Sequence, residues 1–165
     1  MLLSESWVWG LIDEPHMSEL WGDDYKSAIS KGYPKLVVEN MSMIAKVIDG
    51  DIVAHTSFTD MGDWYFIGNN YVKRDFRNRG ILREMVERRN RIIGDIPKIA
   101  ILRPIENTDL LKLRNFIKTL GYIPVRNYKD VMDVMSEGEY FKIQSCEVWR
   151  FDWNELGKYI KNGFY

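Results

Sequence analysis

An α/β domain is what this 165-residue sequence predicts, on three grounds. Residues 41–72 carry three consecutive strand-like segments separated by tight-turn signals. Two amphipathic helical stretches follow, one after Gly80 and one after Asp109, with a short apolar strand candidate between them. Strand and helix meet at a strongly basic junction, Val72-Lys73-Arg74-Asp75-Phe76-Arg77-Asn78-Arg79-Gly80-Ile81-Leu82.

Each element follows from local pattern. Residues 6–12, Ser-Trp-Val-Trp-Gly-Leu-Ile, suit a short first strand. Residues 13–31 read as one or two helices, with Leu20, Trp21, Tyr25, Ala28 and Ile29 at helical spacing. Pro34 interrupts that pattern, and residues 35–40 fit a strand or an extended connection equally. Residues 41–48 and 51–58 flank Asp49-Gly50, a strong hairpin signal because a type I′ turn needs positive φ at both central residues. In the second segment Ile52, Ala54, Thr56 and Phe58 share one face, and Val53, His55 and Ser57 the other. Residues 60–63, with Gly62, make the next turn. Residues 64–72 form the third strand, and Gly68-Asn69-Asn70 inside it marks a bulge.

The helix that opens after Gly80 directs Ile81, Leu82, Met85, Val86, Ile92 and Ile93 towards the core, and Gly94 and Pro97 stop it. Residues 98–105 are a buried strand candidate. Asn107, Thr108 and Asp109 offer N-cap chemistry to a helix whose apolar stripe is Leu110, Leu113, Ile117 and Leu120, and Gly121 ends that helix. A last long strand over residues 140–153 precedes a short C-terminal helix. With no repeats, low-complexity tracts or linkers, residues 1–165 read as a single domain, long enough to bury roughly two thirds of its unfolded surface.

Composition narrows the function classes. Hydrophobic residues at 45% and charged residues at 28% fit an ordinary globular protein rather than a disordered or fibrous one. A formal net charge of −1 gives no global attraction to nucleic acid or anionic lipid. The single cysteine, Cys146, excludes an intrachain disulfide and reads as a small buried hydrophobe, so a reducing, cytoplasmic location is expected. The start Met1-Leu2-Leu3-Ser4-Glu5 lacks the basic and long apolar stretches of a signal peptide or membrane span, so no membrane partner is expected. No His, Cys, Asp and Glu spacing suggests a metal site, and no pattern suggests a nucleophilic triad.

The basic junction carries the chemistry. A helix N-terminus offers unpaired backbone N–H groups and the positive end of the helix dipole, and both favour a phosphate. Gly80 removes a side chain where a ligand could approach the backbone, while Arg77, Arg79 and Arg83 add positive charge. Residues 73–91 hold eight basic residues against Asp75, Glu84 and Glu87, a local charge of +5 (8 − 3). Such a patch could follow a nucleic-acid backbone. The same helix also carries an apolar stripe, and no exposed aromatics interleave with its basic residues, so nucleic acid is the weaker reading.

Arg77-Asn78-Arg79-Gly80-Ile81-Leu82 resembles the acyl-CoA loop of the Gcn5-related N-acetyltransferase (GNAT) superfamily, whose pattern is Arg/Gln-x-x-Gly-x-Gly/Ala. Arg77 and Gly80 match, Val72 stands at the apolar strand position, and Phe76 at the usual aromatic one. Leu82 departs from the second small residue, so it either crowds a pyrophosphate or turns into the core. Asn107 through Gly121-Tyr122 resembles the family segment in which Asn opens a helix ending in Gly-Phe or Gly-Tyr. The resemblance covers residues 41–122. It implies a mixed α+β fold, with a mostly antiparallel central sheet and helices on both faces. It also implies that the bulge splays two strands to open the cofactor groove.

The activity implied is transfer of acetyl from acetyl-CoA to an unidentified primary amine by direct attack. The cofactor-binding set implied is Tyr71, Val72, Arg77, Asn78, Arg79, Gly80, Ile81, Leu82, Arg83 and Asn107, with no metal. The acceptor is a small-molecule or peptide amine, and the oligomeric state stays open, a dimer included. The usual catalytic groups are missing from their family positions. Residues 64–74 contain no carboxylate, and the place of the usual tyrosine acid is Ile117, beside Phe116. His55 is the only imidazole of the meander and a candidate base, although a hydrogen-bonded structural histidine explains it more simply. His16 has less to support it. Asn69 and Asn70 suit a substrate, a water or simply the bulge. Trp7, Trp9 and Trp21 fall in the family's acceptor wall, where they could cage an amine, and core packing explains them at least as well. A non-catalytic acyl-CoA-binding or regulatory module is therefore the alternative to an enzyme.

Overall fold

The computed structural model describes residues 5–11, 14–29, 41–102 and 109–161. The chain starts with a strand, β1 (Glu5–Leu11), and two short helices, α1 (Glu14–Trp21) and α2 (Asp23–Ile29). Three successive strands follow, β2 (Ser42–Ile48), β3 (Asp51–Asp60) and β4 (Tyr65–Val72). Beyond them come α3 (Ile81–Ile93), β5 (Lys98–Leu102), α4 (Leu110–Thr119), β6 (Tyr122–Val125), α5 (Glu137–Ile143), β7 (Glu147–Phe151) and α6 (Trp153–Lys161). The strands form one sheet in the order β1-β2-β3-β4-β5-β7-β6. Every neighbouring pair is antiparallel except β4 with β5, which run parallel.

Alternation along the strands sorts the helices by face. On β5, Ile99 and Ile101 pack with Ile143 of α5, whereas Ala100 and Leu102 pack with Val86 of α3 and Leu113 of α4. On β2, Met43 packs with Met17, Trp21 and Tyr25 of α1 and α2, while its neighbour Ile44 packs with Ile93 of α3. Leu156 of α6 joins the α3–α4 side. Helices α1, α2 and α5 thus cover one face of the sheet, and α3, α4 and α6 the other. The mixed, mostly antiparallel sheet with helices on both faces is as the sequence leads one to expect.

Two local signals are realised in detail. Asp49 and Gly50 have φ of 52° and 84°, as a type I′ turn requires. On β3 and β4, His55 pairs Tyr71 and Ser57 pairs Gly68, so Asn69 and Asn70 together oppose Thr56 alone. That is the expected bulge.

Other expectations need correction. Only Glu147–Phe151 of the long strand expected over 140–153 is extended, because Tyr140–Ile143 completes α5. Ser136 starts that helix, accepting from the Glu139 N–H at 3.2 Å while Glu139 Oε1 accepts from the Ser136 N–H at 2.9 Å, a reciprocal cap. The sequence reading also omits β6, whose Pro124 argues against a central strand. β6 is the last strand of the sheet, paired on one side to β7, which is where a proline is tolerated. On α3 the buried positions are Ile81, Met85, Val86, Arg89 and Ile93. Ile92, expected inside, is 42% exposed, and Arg89 takes its place in the core. The four-residue step 81, 85, 89, 93 keeps one face inward, and Ile92 lies about 100° around the helix from Ile93. The expected strand over 98–105 is seen as Lys98–Leu102, and residues 103–105 lie outside the described residues.

Candidate functional site

The one parallel junction of the sheet is short. β4 and β5 pair only at Tyr65 with Lys98, Phe66 with Ile99 and Ile67 with Ala100. Past these pairs the bulge diverts β4, and a cleft of about 790 Å³ opens between the strand ends, α3, α4 and the loop before α3. Its walls include Gly68, Asn70, Tyr71 and Val72 of β4, Leu102 of β5, and Leu113, Phe116 and Ile117 of α4.

The loop has a built conformation. Asn78 and Gly80 have φ of 64° and 77°, so the chain turns through the left-handed region twice before α3. Gly80 is the N-cap of α3 and, lacking a side chain, leaves the first-turn amides uncapped. A Cβ built on Gly80 would meet nothing within 4 Å beyond its own chain neighbours, so there is room beside this backbone for a ligand. Arg77 anchors the loop: its Nε donates to the Val72 carbonyl at 2.7 Å, and its guanidinium lies 5.4 Å from the Tyr71 ring centroid and 3.7 Å from Asp24. Arg83 lies over Phe116 at 5.3 Å and donates to Thr119 Oγ1 at 3.2 Å.

Of the residues that the sequence singles out, Tyr71, Val72, Arg77, Asn78, Gly80, Ile81, Leu82 and Arg83 line the cleft. Arg79 does not; it is exposed and packs over Phe76 at 5.2 Å. Asn107 and Thr108 lie outside the described residues, and Asp109 caps α4, accepting from the Lys112 N–H at 3.0 Å. Leu82 is half-buried between the clusters of α3 and α4 and also lines the cleft. Its side chain therefore belongs to the core and borders the site at once.

Three cleft groups escape sequence reasoning. Asp24 reaches the cleft from α2, accepting from Tyr71 Oη at 2.8 Å and pairing Arg74 at 3.1 Å. Burial, with the Asp24 bond adding to it, pushes the Tyr71 phenol up to about 12. Tyr122 comes from the start of β6 and Arg89 from the middle of α3. Arg89 is 1% exposed and donates to Tyr122 Oη at 3.0 Å, Thr56 Oγ1 at 2.7 Å and Asn70 Oδ1 at 3.2 Å. Thr56 also donates to Asn70, so the bulge is fastened to α3. Burial lowers the Arg89 pKa and raises that of Tyr122, and each partner opposes the other's shift. The four-residue spacing from Ile81 through Arg89 to Ile93 is the signal that could have placed this arginine inside.

Gly121 turns the chain from α4 into Tyr122. Its φ is 93°, and an added Cβ would come within 2.8 Å of both Leu156 and Phe151, so only glycine fits.

His55 is enclosed on the opposite face of the sheet. It is 0% exposed, and Trp21 Nε1 donates to its Nε2 at 2.7 Å. An indole N–H only donates, so Nε2 carries no proton and Nδ1–H faces Ser57 Oγ at 3.4 Å. Burial drives its pKa down to about 3. A histidine held neutral with its acceptor nitrogen occupied is structural. Of Trp7, Trp9 and Trp21, Trp21 lines the cleft and the other two do not, so the three form no cage there. Trp21 stacks on Tyr71 at 4.8 Å beside α1, whereas Trp7 lies on the α3 side with Lys46 and Arg88 over its ring, at 4.7 Å and 4.6 Å. Nor is the basic stretch of 73–91 a free stripe for nucleic acid: Arg89 is in the core, Arg77 is tied to Val72, and Arg88 pairs with Glu84. Among the described residues no three His, Cys, Asp or Glu side chains gather as a metal site, and no helix is long and apolar enough to cross a membrane.

No protein-family model matches the sequence, and no curated protein matches it. Solved structures match in fold. An acyl-CoA N-acyltransferase from Pseudomonas aeruginosa covers 90% of this chain and 100% of its own, at a TM-score of 0.61 and 14% identity. An acetyltransferase of the GNAT family from Staphylococcus aureus Mu50 covers 88% and 98%, at 0.58 and 8%. The chain has the GNAT fold. The PaiA N-acetyltransferase from Thermoplasma acidophilum, solved in complex with coenzyme A, shares the GNAT fold over 89% of this chain and 99% of its own, at a TM-score of 0.56 and 8% identity.

Proposed function

We propose that the chain is an N-acyltransferase that takes acetyl from acetyl-CoA and passes it to a primary amine. The observation that carries this reading is the uncapped N-terminus of α3, set beside Arg77 and Arg83 at the mouth of a cleft between two parted parallel strands. The open space at Gly80 fits a phosphate close to the backbone, and the amides of Ile81, Leu82 and Arg83 would hold it. Acetyl-CoA, when bound, supplies the activated acetyl group.

The chain's own residues then have separable tasks. Arg77 keeps the loop closed against Val72, whose carbonyl it occupies. The apolar walls of Leu102, Leu113 and Ile117 exclude water. Tyr122 keeps its proton at neutral pH, since burial pushes its pKa up, and it is the proton donor we assign to the leaving group. His55 takes no part. The amine must arrive neutral or lose its proton to water, so turnover should rise with pH on unactivated amines.

Release of free thiol from acetyl-CoA across a broad panel of amines tests the activity. Turnover with at least one amine is expected, and binding without turnover on any would make the protein a binding module instead. Gly80→Trp tests the site: calorimetry should find acetyl-CoA binding abolished while the melting transition stays cooperative. Equal affinity in that variant would place the cofactor elsewhere.

A further inference from the structure

Asn70 is fastened at one end of its side chain and free at the other. It belongs to the bulge at which β4 leaves β5, it is exposed, and it lines the cleft. Thr56 Oγ1 accepts from Arg89 Nη1 at 2.7 Å, so its own proton goes to Asn70 Oδ1. Arg89 Nη1 donates to the same oxygen at 3.2 Å. Two donors on Oδ1 fix which way the amide points. Reversed, it would set its N–H groups against those of the guanidinium and leave the Thr56 proton without an acceptor. The Nδ2 donors are therefore left on the exposed side, and among the described residues they have no partner.

Fastening the bulge needs only the oxygen. An aspartate would do that and pair with the Arg89 charge as well, whereas an asparagine keeps N–H donors in the cleft. The guanidinium also strengthens them. Arg89 is 1% exposed and keeps its proton, and a carbonyl that accepts from a cation in a low-dielectric interior polarises its own amide nitrogen. Through Nη2 the same guanidinium donates to Tyr122 Oη at 3.0 Å. Asn70 and Tyr122 thus hang from neighbouring nitrogens of one rigid plane.

We propose that the Asn70 side-chain amide donates to the carbonyl oxygen of the thioester and stabilises the charge that this oxygen gains during transfer. The proposal rests on the acyl-transfer reading above, with Tyr122 as proton donor to the leaving sulfur. Thioester oxygen and sulfur are bonded to one carbon, so the donor to oxygen must sit beside the donor to sulfur. Arg89 sets the two side by side. As the amine nitrogen bonds to that carbon, the carbonyl electron pair moves onto oxygen and meets the Asn70 N–H. The pair returns as the C–S bond breaks, and sulfur leaves with the bonding electrons and the Tyr122 proton. Nitrogen releases its extra proton to water, and water restores one to Tyr122. Asn70 is then a catalytic residue and Arg89 a positioning residue.

Isotope-edited infrared spectra of acetyl-CoA labelled at the thioester carbonyl decide the contact. Asn70→Asp keeps the acceptor that Thr56 and Arg89 use, so its melting temperature should not fall, and calorimetry should find acetyl-CoA still bound. Wild type should hold the carbonyl band at a lower frequency than Asn70→Asp or Asn70→Ala. Arg89→Met, which keeps the N–H but loses its polarising partner, should fall between them. With an amine that wild type acetylates, kcat of both Asn70 variants should drop roughly 10²–10³-fold, the cost of removing one oxyanion donor. Equal band positions in wild type and the Asn70 variants overturn the proposal, and an unmoved band in Arg89→Met overturns the positioning role. Binding without turnover on any amine ends the enzyme reading, and the band still decides the contact. No acetyl-CoA binding to wild type overturns the reading and the contact together.

Discussion

His55 and Thr56 are neighbours on β3, yet they look into two different electrostatic worlds. His55 faces α1, where Trp21 and Ser57 satisfy both ring nitrogens and burial keeps the imidazole neutral. Thr56 faces α3 and the fully buried Arg89, which cannot shed its proton. Both faces penalise charge. The histidine answers by losing its proton, and the arginine has only hydrogen bonds with which to answer. Closed and neutral on one side, charged and opening on a cleft on the other, the sheet separates scaffold from site across one peptide bond.

The largest test of this contrast is acid. The unfolded chain carries His55 near its ordinary pKa of 6.5, while the folded chain holds it at about 3. The unfolded state therefore binds more protons below 6.5, and stability falls as pH drops through that window. The loss should reach about 2 kcal/mol at pH 5 and about 4 kcal/mol at pH 3, at 1.36 kcal/mol per pKa unit. Urea melts at pH 7 and pH 5 measure it, with His55→Gln as the control that lacks this contribution. Equal acid sensitivity in both proteins would place its source elsewhere.

The charged side should respond to volume and hydrogen bonding differently. Arg89→Ala leaves a cavity and three deserted partners, and should cost about 3–4 kcal/mol. Arg89→Met deserts the same partners but keeps most of the volume and removes the desolvated charge, so it should cost about 2 kcal/mol less than Arg89→Ala. Denaturant melts decide, and equal losses in the two variants would mean that the hydrogen bonds outweigh the buried charge. The finest comparison takes one hydroxyl from each face. Thr56→Val deprives Asn70 and Arg89 of a shared partner and should cost about 1–2 kcal/mol. Ser57→Ala gives up only the 3.4 Å contact to His55 and should cost less than about 0.5 kcal/mol. Reversal of that order would make the histidine face the more tightly determined one.

Local signals were read from the sequence; non-local placement was not. The Asp49-Gly50 turn, the bulge at Gly68-Asn69-Asn70 and the loop from Arg77 to Gly80 each depend on a few contiguous residues, and each appears where expected. β6 was hidden by Pro124, whose acceptability depends on being at the sheet's edge. The cap formed by Ser136 and Glu139 is a local signal that the expected strand over 140–153 passes over, and Tyr140–Ile143 belongs to α5 instead. The cleft was harder still. Asp24 meets Arg74 across 50 residues, and Tyr122 meets Arg89 across 33, because β6 precedes β7 in sequence yet lies outside it in the sheet. Residue type assigns an arginine to the surface, and only the phase that Arg89 shares with Ile81, Met85 and Ile93 argues otherwise.

The three register pairs between β4 and β5 have a further consequence, for how the sheet assembles and breathes. β2, β3 and β4 follow one another through short turns and can zip in sequence, with β1 joining beside β2 across α1 and α2, whereas β5, β7 and β6 form a second group whose order differs from the chain's. So short a seam is a natural boundary between two cooperative units in amide hydrogen exchange. Anything seated in the cleft spans both units and would act as a rivet between them, slowing exchange at Ile67 and Ala100 more than anywhere in the meander's outer strands.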